Sequence, residues 1–212
     1  MQRIAFGVVF ASMIAFSGAQ DKPKYSFGFN KVEFIESMHF NPRPIDALVD
    51  TVILHHTAGP TTASCVDWFL NPESKVSSHY VVGPDGSIIQ MVNTFYRAWH
   101  AGASKDSLGR ENVNNFSIGI EIVNVGDGKH DYPADQVKAV RNLVGYLCRT
   151  KYRGQIKQIS SHEYIAVPPG RKNDPINYPW SSLYNLSEQL QIPLIYGRTD
   201  QTVTRYEPWV KR

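Results

Sequence analysis

Cysteine is scarce in this sequence, which limits the kinds of site it can form. Only Cys65 and Cys148 occur among the 212 residues, and their separation fits no cysteine-based zinc motif. Neither lies in the sequence context typical of a nucleophilic cysteine. Two roles remain open for the pair, a disulfide between their segments or two buried free thiols.

Other common site motifs are also absent. The sequence has no Gly-x-Ser-x-Gly turn for a serine nucleophile and no glycine-rich loop for phosphate. The segment HEYIAV begins like a zincin helix, but its fifth position is Ala166 instead of histidine. The formal net charge is only +3 and there is no long run of lysine or arginine, so nucleic acid is not an expected partner.

No apolar run is long enough to span a membrane. The longest one near the start extends from Ile4 to Phe16, about 13 residues, whereas a transmembrane helix needs roughly 20. Arg3 precedes this run and the small residues Ser17 and Ala19 follow it, as in a secretory signal peptide over residues 1–19. We therefore expect an exported protein, periplasmic or secreted, with no stable membrane insertion after cleavage.

Strand and helix patterns alternate along the rest of the chain. The β-branched segment TVILHHT predicts a buried strand, and SSHYVVGPDGSIIQMV predicts a hairpin around Gly83–Gly86. Ile118, Ile120 and Ile122 alternate with Glu121 in a further strand. Helical spacing of apolar residues follows Thr61 and Pro133. These patterns and the length predict one α/β domain, a sheet with helices on its faces.

Histidines and one aspartate suggest a metal site. His55 and His56 end the first buried strand, where alternation lets only one of them join a given site. His162 ends another strand candidate, and a proline-rich loop then presents Lys172 and Asp174. Two imidazoles and one carboxylate are a ligand set for catalytic zinc, with the fourth position left to water.

Five segments together resemble a known enzyme family. VILHHTAG, SSHYVVGPDGSIIQMV, RAWHAG, NNFSIGIEIVN and HEYIAVPPGRKNDP stand in the order and spacing seen in zinc-dependent N-acetylmuramoyl-L-alanine amidases of the type 2 family. The match is closest to the AmpD-like branch and more distant to phage endolysin amidases and peptidoglycan recognition proteins. It covers roughly residues 41–180. The resemblance implies one domain with a mixed central β-sheet flanked by helices on both faces.

The resemblance also implies an activity and a set of site residues. Hydrolysis of the amide between N-acetylmuramic acid and L-alanine of the stem peptide would use one Zn²⁺ ion per chain. The metal ligands fall on His55, His162 and Asp174. Glu121 takes the place of the acid that activates water, and Lys172 that of the lysine that stabilises the oxyanion.

Further residues are expected around the substrate, which would be peptidoglycan or muropeptides bound by a monomer. His100 and Trp99 belong to a segment that lies near the substrate cleft in the family. Arg171 could meet a stem-peptide carboxylate. His56 is expected in a second layer or on the opposite face of the sheet. The implied organisation is a signal peptide over 1–19, an amidase domain over 20–195 with its core at 41–180, and a tail over 196–212 without periodicity.

The chain also departs from the family pattern. The segment between His162 and Lys172 is about two residues longer than usual, an insertion that loop closure absorbs at little cost. Ser78 stands where the endolysins and recognition proteins carry a catalytic tyrosine, so proton transfer is expected to depend on Glu121. A rival hypothesis is a non-catalytic peptidoglycan-binding module of the same fold. The presence of all three ligands and both helper residues favours the enzyme.

Overall fold

The computed structural model describes residues 32–198 and 202–210. The expected signal peptide, residues 1–19, lies outside the described residues. Within the described ranges, no helix has both the length and the apolar character needed to cross a membrane.

Short strands and helices follow one another along the chain. The strands are β1 (Glu33–Phe34), β2 (Phe40–Asn41), β3 (Thr51–His56), β4 (Tyr80–Val82), β5 (Ile88–Gln90), β6 (Arg97–Ala98), β7 (Ser117–Ile122), β8 (Gln158–Ser161), β9 (Leu194–Arg198) and β10 (Val203–Tyr206). The helices are α1 (Thr62–Leu70), α2 (Ala134–Tyr146), α3 (His162–Ile165) and α4 (Tyr184–Leu190). Single 3-10 turns lie at Val113–Asn115 and Trp180–Leu183, and α2 continues into a π-helical turn at Leu147–Lys151.

The main sheet is mixed, as the resemblance implies. Its strand order among the described residues is β1-β5-β4-β7-β3-β8-β9-β10, and β2 pairs with β6 in a separate small sheet. The central strands β4, β7, β3, β8 and β9 run parallel to one another, whereas β5 and β10 pair antiparallel with β4 and β9. The prediction of a single α/β fold with helices on both faces is confirmed.

Helices cover both faces of the central strands, which explains why these strands are apolar along their length. The side chains of Ile118, Ile120 and Ile122 belong to one core cluster with Leu143 of α2. The opposite face carries Ile53, which packs beneath the loops around α3. This second face, at the carboxyl ends of β3 and β7, is where the candidate site lies.

Two strands near the C-terminus were not predicted from the sequence. β9 and β10 extend the sheet into residues 196–212, where the sequence predicts only a tail without periodicity. The pairing of the two strands has an irregularity between Thr204 and Arg205. The ring of Tyr206 stacks on Tyr184, with 4.0 Å between ring centroids. Such short strands, with Val203 to Arg205 all exposed, carry no alternation that a sequence pattern would reveal.

Both cysteines are free and buried, Cys65 in α1 and Cys148 in the π-helical turn. Burial raises the pKa of the Cys65 thiol well above its usual range, and the nearby charge of Glu121 adds to the effect. Burial also raises the pKa of Cys148 to about 12. Of the two roles left open by the sequence, the structure has the buried thiols, and neither is a ready nucleophile.

Candidate metal centre

The carboxyl ends of β3 and β7 open into a cleft of about 610 Å³. His55 and Glu121 are register partners in these parallel strands, so their side chains point to the same face of the sheet. His56, the next residue along β3, points to the other face. The carboxyl ends of parallel strands are the usual place for a ligand site in an open α/β sheet.

Three side chains that are distant in sequence converge in this cleft. His55 Nδ1 lies 3.1 Å from Asp174 Oδ2 and His162 Nδ1 lies 3.0 Å from the same oxygen. One ligand atom from each residue lies within 4.8 Å of the others, and all three residues are buried. The structure therefore brings together the three residues on which the resemblance places the metal ligands.

The spacing of these atoms suits a tetrahedral ion. A zinc ion with Zn–N bonds of about 2.0–2.1 Å separates its ligand atoms by about 3.3 Å, close to the two distances to Asp174. His162 Nε2 lies 3.1 Å from the carbonyl oxygen of Ala101, which can only accept, so Nε2 carries the ring proton. In the neutral ring Nδ1 is then an acceptor facing a carboxylate, an arrangement that a cation between the two atoms stabilises.

The charge states expected near neutral pH also fit metal ligands. Burial lowers the pKa of His55 to about 4, with His162 adding to the shift and Asp174 opposing it. Burial alone would raise the pKa of Asp174, but its close contacts with His162 and His55 outweigh burial and hold this pKa far below the usual range. A neutral imidazole and an ionised carboxylate are the forms that bind a divalent cation.

Glu121 and Lys172 line the same cleft. Oε2 of Glu121 is buried and has no hydrogen-bond partner among the described residues. Burial raises the pKa of Glu121 well above its usual range; the charge of Asp174 adds to this rise and that of Lys172 opposes it. A carboxyl group with a raised pKa can both take and return a proton near neutral pH.

His56 supports the cleft from the opposite face. Its Nδ1 accepts a hydrogen bond from the backbone N–H of Ile176 at 3.2 Å, and its ring lies against Gly126, where an added Cβ would stand only 2.4 Å from Nε2. Because Ile176 follows Asp174 by two positions, His56 helps to hold the ligand loop. The two adjacent histidines both line the cleft but have different surroundings. The ring of His55 lies among the proposed ligands, whereas that of His56 contacts Ile176 and Gly126.

The segment that follows His162 places the carboxylate of Asp174 beside both ring nitrogens. The backbone N–H of Glu163 donates to the carbonyl oxygen of Asp174 at 2.9 Å, which fixes the loop beside the start of α3. Residues 167–172 of this segment are exposed. Ser78, the residue expected to stand where other branches carry a tyrosine, is fully buried.

The three expected substrate contacts have different surroundings. Trp99 lines the cleft, and its indole N–H donates to Asn41 Oδ1 at 2.8 Å. His100 also borders the cleft, but both of its ring nitrogens have partners within the protein. Arg171 is not among the residues that line this cleft; its guanidinium donates to the backbone carbonyl oxygens of residues 101, 103 and 167.

Sequence reasoning missed the residues that hold the segment around His100. Asn114 Oδ1 accepts hydrogen bonds from the backbone N–H groups of His100 and Ala101, at 3.1 and 2.8 Å. Arg43 donates to the backbone carbonyl oxygens of residues 114, 115 and 117. These bonds join positions as far as 74 apart in the chain, so no local pattern marks them.

The chain is similar in sequence to known amidases. Residues 43–177 match the family model described as N-acetylmuramoyl-L-alanine amidase. The chain is 32% identical over 160 residues to the 1,6-anhydro-N-acetylmuramyl-L-alanine amidase AmpD of Escherichia coli, covering 66% of this chain and 83% of that protein.

Solved structures show the same similarity. A crystal structure of AmpD is 28% identical with a TM-score of 0.61, covering 73% of this chain and 93% of that one. The amidase AmiD of E. coli, in complex with anhydro-N-acetylmuramic acid-L-Ala-D-γ-Glu-L-Lys, is 29% identical with a TM-score of 0.57, covering 68% of this chain and 60% of that one.

Proposed function

Because the chain belongs to the N-acetylmuramoyl-L-alanine amidase family, we propose that it hydrolyses the amide bond between N-acetylmuramic acid and L-alanine of the peptidoglycan stem peptide. The observation that carries this proposal is the convergence of His55, His162 and Asp174 at the cleft that Glu121 also lines. The substrate bound in the AmiD complex is a sugar joined to such a peptide.

We propose Zn²⁺ as the metal, one ion per chain. Two imidazole nitrogens and one carboxylate oxygen at these distances suit zinc and leave its fourth position open. Bound there, zinc would supply a Lewis acid that activates water and polarises the amide carbonyl.

The protein residues would then handle the protons and the charge. Glu121, with one buried oxygen that has no described partner, would take a proton from the attacking water. It would return that proton to the amide nitrogen as the C–N bond breaks, which releases the lactyl carboxylate and the free amine of L-alanine. The ammonium of Lys172 lies at the same cleft and would balance the negative charge that develops on the carbonyl oxygen.

We also propose that the protein is exported and acts on peptidoglycan or muropeptides outside the cytoplasm. The support is the signal-peptide pattern of residues 1–19. N-terminal sequencing of the protein recovered from its host should give a chain that starts near Gln20. A mature chain that still begins at Met1 would contradict export by cleavage.

Product analysis tests the activity itself. The purified protein with zinc should split a soluble muropeptide into the intact sugar and a stem peptide with a free L-alanine amine, two products that mass spectrometry separates. Incubation with intact sacculi in parallel shows which substrate form is preferred. A protein that binds zinc and muropeptides but releases no stem peptide would support the rival function, a non-catalytic peptidoglycan-binding module.

A further inference from the structure

A chain of buried hydrogen bonds leads away from the ligand His55. Its Nε2 lies 3.0 Å from Nδ1 of His100, and Nε2 of His100 lies 3.1 Å from the hydroxyl of Ser117. The hydroxyl of Ser117 in turn donates to the backbone carbonyl oxygen of Val113 at 2.7 Å. His55, His100 and Ser117 are 1%, 8% and 0% exposed, so water does not compete for these bonds.

The carbonyl at the end of this chain sets the direction of every bond in it. A carbonyl oxygen only accepts, so the single hydroxyl proton of Ser117 is used on Val113. His100 Nε2 must then donate to the Ser117 oxygen, which leaves His100 Nδ1 as an acceptor. His55 therefore donates from Nε2 and keeps Nδ1 free of a proton, on the side that faces Asp174.

We propose that Ser117 and His100 are positioning residues that fix the tautomer and ring orientation of His55 for metal binding. A histidine ligand whose remote N–H has a fixed acceptor presents its other nitrogen in the form the metal requires. The usual acceptors are carboxylates, carbonyls and water, whereas here the acceptor is a second histidine whose own tautomer is fixed by Ser117. This inference rests on the proposed metal site.

The residues packed around His100 hold its ring against His55. Gly119 of β7 lies under the imidazole, and an added Cβ there would stand 2.5 Å from His100 Cγ. The ring therefore needs a glycine at that position of the strand. Asn114 holds the backbone of the same segment through two hydrogen bonds, so both the ring and its backbone are fixed.

The same segment also orients the second histidine ligand. The carbonyl oxygen of Ala101, next to His100 in sequence, lies 3.1 Å from Nε2 of His162. Residues 100 and 101 thus provide the acceptors for both remote ring nitrogens. The side chain of His100 and the backbone carbonyl of Ala101 thus fix the ring orientations of both histidine ligands.

The tautomers can be observed directly. In the zinc-loaded protein, long-range proton–nitrogen NMR correlations should show His100 and His55 each protonated at Nε2 and not at Nδ1. Because the NMR measurement does not depend on turnover, it tests the positioning role of His100 separately from any role in catalysis. A spectrum with His100 protonated at Nδ1 would overturn the proposal, since the direction of the bonds would be reversed.

Zinc affinity gives a second readout. Outer partners of this kind are worth about 10–100-fold in metal affinity, so competition with a chromogenic chelator should show weaker binding by about that factor in His100→Leu and by about 10-fold in Ser117→Ala. His100→Asn, which can place an acceptor oxygen near the position of Nδ1, should recover much of the affinity that leucine loses.

The matched control is Ser187→Ala. Ser187 is also fully buried and donates its hydroxyl proton to a backbone carbonyl, that of Ile192 in the α4 region, but it is not among the residues that line the cleft. This variant should bind zinc as the wild type does. Wild-type zinc affinity in both Ser117→Ala and His100→Leu would overturn the positioning role of Ser117 and His100 and leave the metal site standing. Absence of zinc binding in the wild-type protein would overturn both the positioning role and the metal site.

Discussion

The Asp174→Ala protein should lose zinc binding and amidase activity together. Asp174 Oδ2 lies 3.0 and 3.1 Å from the two ligating ring nitrogens, and this carboxylate is the only negative charge among the three proposed ligands. Without it, two buried neutral imidazoles remain, which hold a divalent cation poorly. A Lewis acid contributes several kcal/mol to such a reaction, so the rate of stem-peptide release should fall by about 10³-fold or more.

A second aspartate offers a matched control for this substitution. Asp127 also pairs with a histidine, since its Oδ2 lies 2.9 Å from His130 Nδ1, but this pair is on the surface. Asp127→Ala should keep full zinc content and full activity, measured by metal analysis and by product release. Zinc at one equivalent and unchanged turnover in Asp174→Ala would contradict the proposed ligand set.

The Glu121→Gln protein should keep its zinc and lose its turnover. Glutamine has nearly the same shape as glutamate but cannot take a proton, so turnover should be lost. Glu121 is not one of the proposed metal ligands, so zinc should be retained. General acid–base groups contribute about 10²–10⁴-fold, so kcat should fall within that range while the zinc affinity stays close to the wild-type value. Zinc titration and single-turnover product release measure the two quantities separately.

Glu111→Gln serves as the control for this variant. Glu111 is exposed and pairs only loosely with Lys105, at 3.4 Å, so its loss should not change activity. A Glu121→Gln enzyme with wild-type kcat would show that another group moves the proton. A variant without zinc would place Glu121 in the metal site instead of beside it.

The raised pKa of Glu121 has a consequence for the pH profile of the wild type. Burial favours the protonated carboxyl, so the pKa lies above the usual range, and the base form is lost at a higher pH than for an exposed glutamate. Activity should therefore decline on acidification before an ordinary glutamate would titrate. An activity that stays constant down to the usual glutamate range would indicate that Glu121 is not the base.

Much of the architecture could be predicted because the relevant signals are local. The alternation of isoleucines with Glu121 places the acid on the face away from the main core, and the structure has those isoleucines in the cluster that includes α2. The hairpin around Gly83–Gly86 and the helix after Pro133 follow from turn chemistry and apolar spacing in the same way. Each of these features depends on neighbours within about a dozen residues.

The choice between His55 and His56 could not be made from the strand alone. Alternation assigns them to opposite faces but does not say which face carries the site. The answer depends on Asp174, 119 positions away from His55, and on the loop that places it. The resemblance assigns the metal to His55. In the structure His55 faces Asp174, whereas His56 accepts a hydrogen bond from the backbone of Ile176.

The residues that hold His100 also could not be predicted from the sequence, because their contacts join distant segments. Ser117 is an unremarkable first residue of a strand, and Asn114 lies in a 3-10 turn. Their importance comes from buried partners on other segments, His100 for both of them. A sequence pattern records the type and spacing of residues, whereas these contacts depend on how the segments fold together.

Anomalous X-ray scattering at the zinc edge, from crystals of the protein grown with zinc, tests whether His55, His162 and Asp174 bind one zinc ion. We expect one strong peak per chain, about 2.0–2.2 Å from His55 Nδ1, His162 Nδ1 and an oxygen of Asp174. A peak at other side chains, or density at this cleft without an anomalous signal, would contradict it.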